Sequence, residues 1–237
     1  MNGKKDGVLM ACYTCLLVIG GLLTWLKYDY NAVKMEDVRE ACGYVSASAT
    51  PVEAPKIALT FDDGPSTAWT PTLLDGLKER GVKATFFLIG ENADKNPEIV
   101  KRMAEEGHLI GNHTYHHVEL TKVSENEARL ELADTSAVIV RITGKEPEYM
   151  RPPFGAWQRK LEQEIQMLPV LWTIDPLDWT TENQDEIVNK VVTEAEENDI
   201  ILLHDCYKSS IEAGLRIVDI LQEEGFVFVT VDELLLN

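Results

Sequence analysis

Cysteine is sparse: the 237 residues hold four, Cys12, Cys15, Cys42 and Cys206. Only the first two have CxxC spacing and no second such pair follows, which excludes a thiolate zinc framework. Cys42 and Cys206 are separated without any local spacing signal, so two unpaired thiols are expected, with a disulfide outside a cell as the alternative. Positive charge is also scarce, with 22 Lys and Arg against 40 Asp and Glu and a net charge of −18. A chain this acidic repels phosphate rather than trading it for counterions, so no nucleic-acid partner is expected, nor docking on anionic lipid by charge. Internal repeats and low-complexity tracts are absent. What remains, 45% hydrophobic and 26% charged residues, is ordinary globular composition and excludes general disorder.

Charge is missing altogether from Gly7 to Leu26. Twenty residues at the helical rise span about 30 Å, the thickness of a bilayer's hydrocarbon core. Lys4 and Lys5 precede the stretch, and Trp25, Lys27 and Tyr28 suit the membrane interface, so a transmembrane signal-anchor with the rest of the chain exported is expected. A cleaved signal peptide is the rival, although no small-x-small site directly follows the run. A buried core helix would show a polar face, and the Leu9-Met10-Ala11-Cys12 stretch has too little apolar sequence before it for a lipoprotein signal. The expected organisation is a cytoplasmic tail at 1–6, an anchor at 7–26, a linker at 27–54 ending in the Ser46–Pro55 stretch, and a main domain at 55–237.

Within the main domain short apolar runs alternate with amphipathic stretches. Strands are expected at Lys56–Phe61, Ala84–Ile89, His108–Gly111, Pro169–Ile174, Ile200–His204 and Val227–Val231. Helices are expected at Pro71–Arg80, Pro97–Glu106, Glu125–Ile142, Gln158–Met167, Asp185–Glu197 and Ser210–Glu224. Repeated β then α implies an α/β fold with a parallel sheet, and about 180 residues is short for eight full units, so a distorted or incomplete (β/α) barrel is expected. Ligands in such folds collect at the C-terminal ends of the strands.

Polar residues stand at those ends. The first strand runs into Asp62-Asp63-Gly64-Pro65, where one acid can ligate a cation and the other handle protons, or where the motif is only a cap and tight turn. Three of the five histidines fall between 113 and 117. His113 and His117, four apart, would share a face on one helical turn and so a metal, while His116 would point away. With an acid from the first strand the set is Asp–His–His with an open position, the pattern of catalytic zinc. Arg151-Pro152-Pro153-Phe154 holds an extended backbone rigidly. Asp175-Pro176-Leu177-Asp178-Trp179 offers a carboxylate and an aromatic wall for a sugar face. Ile200–Asp205 ends an apolar strand on His204, a natural proton donor or else a buried structural histidine.

These five segments, in this order, resemble the five motifs of the polysaccharide deacetylase family, the NodB-homology or carbohydrate esterase family four domain, over about residues 55–235. The resemblance implies a distorted (β/α) barrel, with Asp63, His113 and His117 as metal ligands and Asp62 as the general base. It implies that Arg151 holds Asp62, that the Phe154 backbone N–H helps stabilise the oxyanion, and that His204 protonates the leaving amine with Asp175 tuning it. Trp179 and Leu202 would shape the groove around the acetyl methyl. The family often has tyrosine where this chain has Phe154, and the donor there is backbone. The implied cofactor is a divalent metal, zinc first and cobalt second. The implied substrate is an N-acetylated polysaccharide, with peptidoglycan N-acetylglucosamine leading because an exported anchor would place the domain beside a cell wall. A chitooligosaccharide deacetylase or an O-acetyl xylan esterase shares the chemistry, and an inactive glycan-binding domain is the alternative of another class.

Overall fold

The structure, a computed structural model, describes residues 53–157 and 165–236. The expected tail, anchor and nearly all of the linker lie outside these residues, as does most of the helix expected at Gln158–Met167. Among the described residues no helix is long and apolar enough to cross a membrane.

Among the described residues seven strands are interleaved with helices. They are β1 (Lys56–Asp62), β2 (Thr85–Leu88), β3 (Leu109–Asn112), β4 (Tyr149–Met150), β5 (Leu168–Pro169), β6 (Ile200–His204) and β7 (Val227–Val229). The helices are α1 (Thr70–Glu79), α2 (Gly90–Lys95), α3 (Pro97–Glu105), α4 (Glu125–Thr143), α5 (Gln184–Glu194), α6 (Lys208–Glu223) and α7 (Val231–Leu235). The strands run β5-β4-β3-β2-β1-β6, with β7 on the first half of β1, and every pairing is parallel. β1 is buried at every position after Lys56, as its unbroken apolar run requires of a strand covered on both faces.

The sheet curls into a partly closed barrel. A single bridge, Ile174 to Ile201, ties the segment after β5 back to β6. The strand expected over Pro169–Ile174 is therefore broken: Pro169 pairs in β5, and only at the far end do Thr173 and Ile174 bond to β6. Between them the carbonyls of Val170 and Leu171 turn inward and accept from the Arg151 guanidinium at 3.1 and 3.0 Å. A buried cation thus takes the acceptors that would have made a regular ladder.

Helix boundaries follow local chemistry. The Ser124 side chain accepts from the Glu127 N–H to start α4, and Gly144, at φ 75°, ends it. Asn183 caps α5 by accepting from the N–H groups of Asp185 and Glu186. α2 and β4, at six and two residues, are too short to leave a periodic trace and were not expected. The helices dock through buried apolar faces: Leu73, Leu74 and Leu77 of α1 and Ile217 and Leu221 of α6 are fully buried, and Phe61 and Phe86 stack beneath them at 5.4 Å. Each such side chain stabilises by about 1.5–3 kcal/mol. Because all strands are parallel, their C-terminal ends form one rim, and the polar motifs stand on it.

Candidate active site

The rim opens into a cavity of about 410 Å³ lined by Asp62, Asp63, His113, His117, Phe154, Trp172, Asp175, Trp179, Leu202, His204 and Tyr207. Every substrate or metal position expected from sequence, and the expected base and acid, therefore meets in one place. Arg151 lies directly behind it.

The Asp63 carboxylate faces two imidazoles, with Oδ1 3.4 Å from His113 Nε2 and 3.3 Å from His117 Nε2. One ligand atom from each of the three lies within 4.8 Å of the others. Asp63 Oδ1 is buried with no hydrogen-bond partner among the described residues, a costly arrangement that a cation would relieve. The His113 Nδ1–H donates to the Arg151 carbonyl at 2.6 Å, which leaves the Nε2 lone pair directed at the centre. Burial pushes His117 down from its ordinary value, against the pull of Asp63. Burial works to raise Asp63, but the proximity and charge of His113 and His117 outweigh it and hold the carboxyl below its ordinary value. A carboxylate and two imidazoles fit a divalent ion.

The two histidines do not sit on a helical turn. Thr114 and His117 have φ of 63° and 57°, so the chain reverses twice and brings the rings together, centroids 5.0 Å apart, by a loop. Asp63, Phe154 and Leu177 also adopt positive φ, at 72°, 60° and 59°. Such strain, about 1–3 kcal/mol at each non-glycine, persists only where neighbours over-determine the backbone. For the histidine loop those neighbours are visible. The N–H groups of Gly90 and Glu91, starting α2, donate to the carbonyls of Thr114 and Tyr115 at 2.9 and 3.0 Å. From α4, Glu131 accepts from the N–H groups of Tyr115 and His116 at 2.9 and 2.7 Å and pairs with His116 Nδ1 at 2.7 Å. Asn112 Oδ1 accepts from the Thr114 N–H at 2.9 Å. His116 thus does point away from the metal site, as expected, and serves as a tether. Replacing Glu131 by glutamine is expected to weaken zinc affinity by about tenfold, read by competition with a chromogenic chelator. Unchanged affinity would show that the loop holds its shape without that carboxylate.

Asp62 is 3% exposed. Its Oδ1 accepts from Arg151 Nη1 at 2.9 Å, and Oδ2 lies 3.8 Å from His113 Nε2. Arg151 is fully buried and also donates to Thr60 Oγ1 at 2.7 Å, with its guanidinium over the Phe87 ring at 4.2 Å. The arginine is locked, and Asp62 with it. Gly64, next in the turn, lacks a Cβ where one would collide with the Asp205 carboxylate. Asp205 is fully buried against Thr70 Oγ1 at 2.5 Å, and burial pushes its carboxyl up to about 7.

On the opposite wall His204 Nδ1 pairs with Asp178 Oδ1 at 2.8 Å, and its backbone N–H donates to Asp178 Oδ2, also at 2.8 Å. This corrects one expectation: the carboxylate on His204 is Asp178 and not Asp175, whose Oδ1 accepts from the Leu177 N–H at 2.8 Å to form the turn. Left-handed Leu177 swings the chain so that the second acid of the motif, not the first, enters the wall. Burial alone would lower His204, but the hydrogen bond and charge of Asp178 outweigh it and raise the imidazole to about 9. Leu202 is buried, while Trp179 and Phe154 are exposed at the mouth. Phe154 sets its ring edge-on to His117 at 4.8 Å. Trp172, which also packs over Arg151, and Tyr207 complete the lining and were not expected, since single aromatics carry no spacing signal. Cys206 is a free thiol, and Cys42 lies outside the described residues.

A locked carboxylate on one wall, a protonated histidine on the other and a cation-ready triad between them describe a metal-assisted hydrolase. The relatives carry the assignment further. The polysaccharide deacetylase model matches residues 49–171, and the chain belongs to that family. It is 42% identical to a peptidoglycan-N-acetylglucosamine deacetylase of Bacillus cereus, over 79% of this chain and 70% of the relative. It is 39% identical to the peptidoglycan-N-acetylglucosamine deacetylase PgdA of Listeria monocytogenes, over 85% of this chain but 45% of that one, so it spans under half of the longer relative. The peptidoglycan deacetylase PdaC structure from Bacillus subtilis superposes with a TM-score of 0.75 at 40% identity, covering 77% of this chain and 90% of that one.

Proposed function

We propose that the protein removes N-acetyl groups from a cell-wall polysaccharide by hydrolysis, with peptidoglycan N-acetylglucosamine as the leading substrate. The observation that carries this is the opposition of Asp62 and His204 across the Asp63–His113–His117 triad. An amide is a poor electrophile with a poor leaving group, so hydrolysis at neutral pH needs a base, charge stabilisation and an acid together. A divalent ion, zinc being the best match to two imidazoles and a carboxylate, would supply the Lewis acidity that polarises the acetyl carbonyl and acidifies water.

Asp62, held in place by Arg151, takes the proton from the attacking water. The Phe154 backbone N–H donates to the developing oxyanion. His204, with Nδ1 tied to Asp178, presents Nε2–H to the departing nitrogen, so the sugar leaves as an amine rather than an amide anion. Leu202 and Trp179 pack on the acetyl methyl. Asp178 thereby takes the positioning role expected of Asp175. The uncharged segment at 7–26 supports a membrane anchor with this domain outside the cell, beside its substrate.

Acetate release from N-acetylglucosamine oligomers and from purified peptidoglycan is the test. Release abolished by a chelator and restored by zinc is the expected result. Glycan binding without acetate release, with metal present, would leave only a binding domain.

A further inference from the structure

A second cavity, of about 520 Å³, adjoins the catalytic one, between the turn Asp178–Thr180 and the start of α6. Trp179 and Tyr207 line both cavities, 56% and 42% exposed. The volume falls within the range of about 300–1,000 Å³ typical of small-molecule sites. Its far side is polar, built from Glu182, Gln184, Lys208 and Glu212. Glu212 accepts from the Gln184 Nε2 amide and forms an exposed ion pair with Lys208 Nζ at 3.5 Å.

We infer that this cavity is a saccharide subsite that takes the uncharged ring adjoining the one being deacetylated. The inference rests on the deacetylase reading. Two aromatic rings at the shared wall offer apolar faces to the C–H face of a sugar while keeping a polar edge in water. Carboxylates accept from hydroxyls, and amide and ammonium groups donate to hydroxyl or acetamido oxygens, so the far side meets both capacities of a sugar ring. Two glutamates against one lysine disfavour a ring bearing a free carboxylate. A chain seated with its acetamido group at the triad would pass the Trp179–Tyr207 wall and set its next ring against Gln184 and Glu212. Neither of these touches the reacting atoms, so they govern binding of longer substrates and not the chemical step.

The double variant Gln184→Ala/Glu212→Ala in the full-length zinc protein tests this. For the N-acetylglucosamine tetramer KM is expected to rise about tenfold with kcat held, the signature of lost uniform binding. Hydrolysis of 4-nitrophenyl acetate and acetate release from monomeric N-acetylglucosamine are expected to be unchanged. A native kcat/KM no higher for tetramer than for monomer, or a variant with native KM for tetramer, would overturn the subsite. Calorimetric binding of tetramer to zinc-loaded Asp62→Asn separates the two claims. If no glycan releases acetate from the native protein, binding weakened by the double substitution still supports the subsite, and unchanged binding removes it.

Discussion

Substituting asparagine for Asp62 is expected to leave the metal site filled and to cut acetate release by about 10²–10⁴-fold. The replacement is nearly isosteric, and the Arg151 contact at 2.9 Å needs only an acceptor oxygen, which asparagine keeps. What disappears is the negative charge that takes the proton. The buried Arg151 would otherwise be left facing a weaker partner, and breaking a buried pair costs about 3–5 kcal/mol. Here the guanidinium keeps three further acceptors, Thr60 Oγ1 and the carbonyls of Val170 and Leu171, so the folded state is expected to survive. Asp62 is not among the three residues whose ligand atoms cluster, so zinc stoichiometry should remain native. Kinetics together with metal analysis check the outcome. Full activity would overturn the base assignment, and loss of zinc would make Asp62 a ligand.

The sequence showed the barrel class because continuous apolar strands alternating with amphipathic helices leave few other folds, and because Asp62, His113 and His204 each follow such a run. It could not show how loops steer side chains. His113 and His117 were assigned a shared helical face by their spacing, yet they converge through left-handed Thr114 and His117, a conformation that no propensity announces. The tether that makes that loop possible, Glu131, lies in the middle of α4, where its spacing is that of any helical acid. Asp175 and Asp178 are equal in sequence, both acids beside a strand end. Only the positive φ of Leu177 decides which enters the wall. The break in the strand at Val170 and Leu171 has a similar origin, since the capture of two carbonyls by a residue some twenty positions earlier leaves no local pattern.

That distinction between two acids is open to direct measurement. Asp178→Asn is expected to move the alkaline limb of the kcat profile from near pH 9 toward the ordinary histidine value of about 6.5, whereas Asp175→Asn should leave the limb in place. Both oxygens of Asp178 are committed to His204, one to the ring and one to the backbone N–H, and the carboxylate is fully buried. Burial alone favours the neutral ring, so without that charge nothing in the wall of comparable strength sustains the imidazolium. A proton donor must be protonated to act, hence activity is lost as pH rises through the folded pKa. At pH 8 the variant should retain about 1% or less of native activity, because the acid form is depleted and an amide nitrogen facing Nδ1 would favour the wrong tautomer. Stability carries the same sign. His204 has a folded pKa above its unfolded one, so the stabilisation from the pair is complete below about pH 6.5 and is lost as pH rises through about 9. Native Tm should fall across that window, and the fall should be absent in Asp178→Asn. A limb that stays near 9 in that variant would mean that the proton donor is not His204 held by Asp178, and the acid would have to be sought elsewhere on the rim.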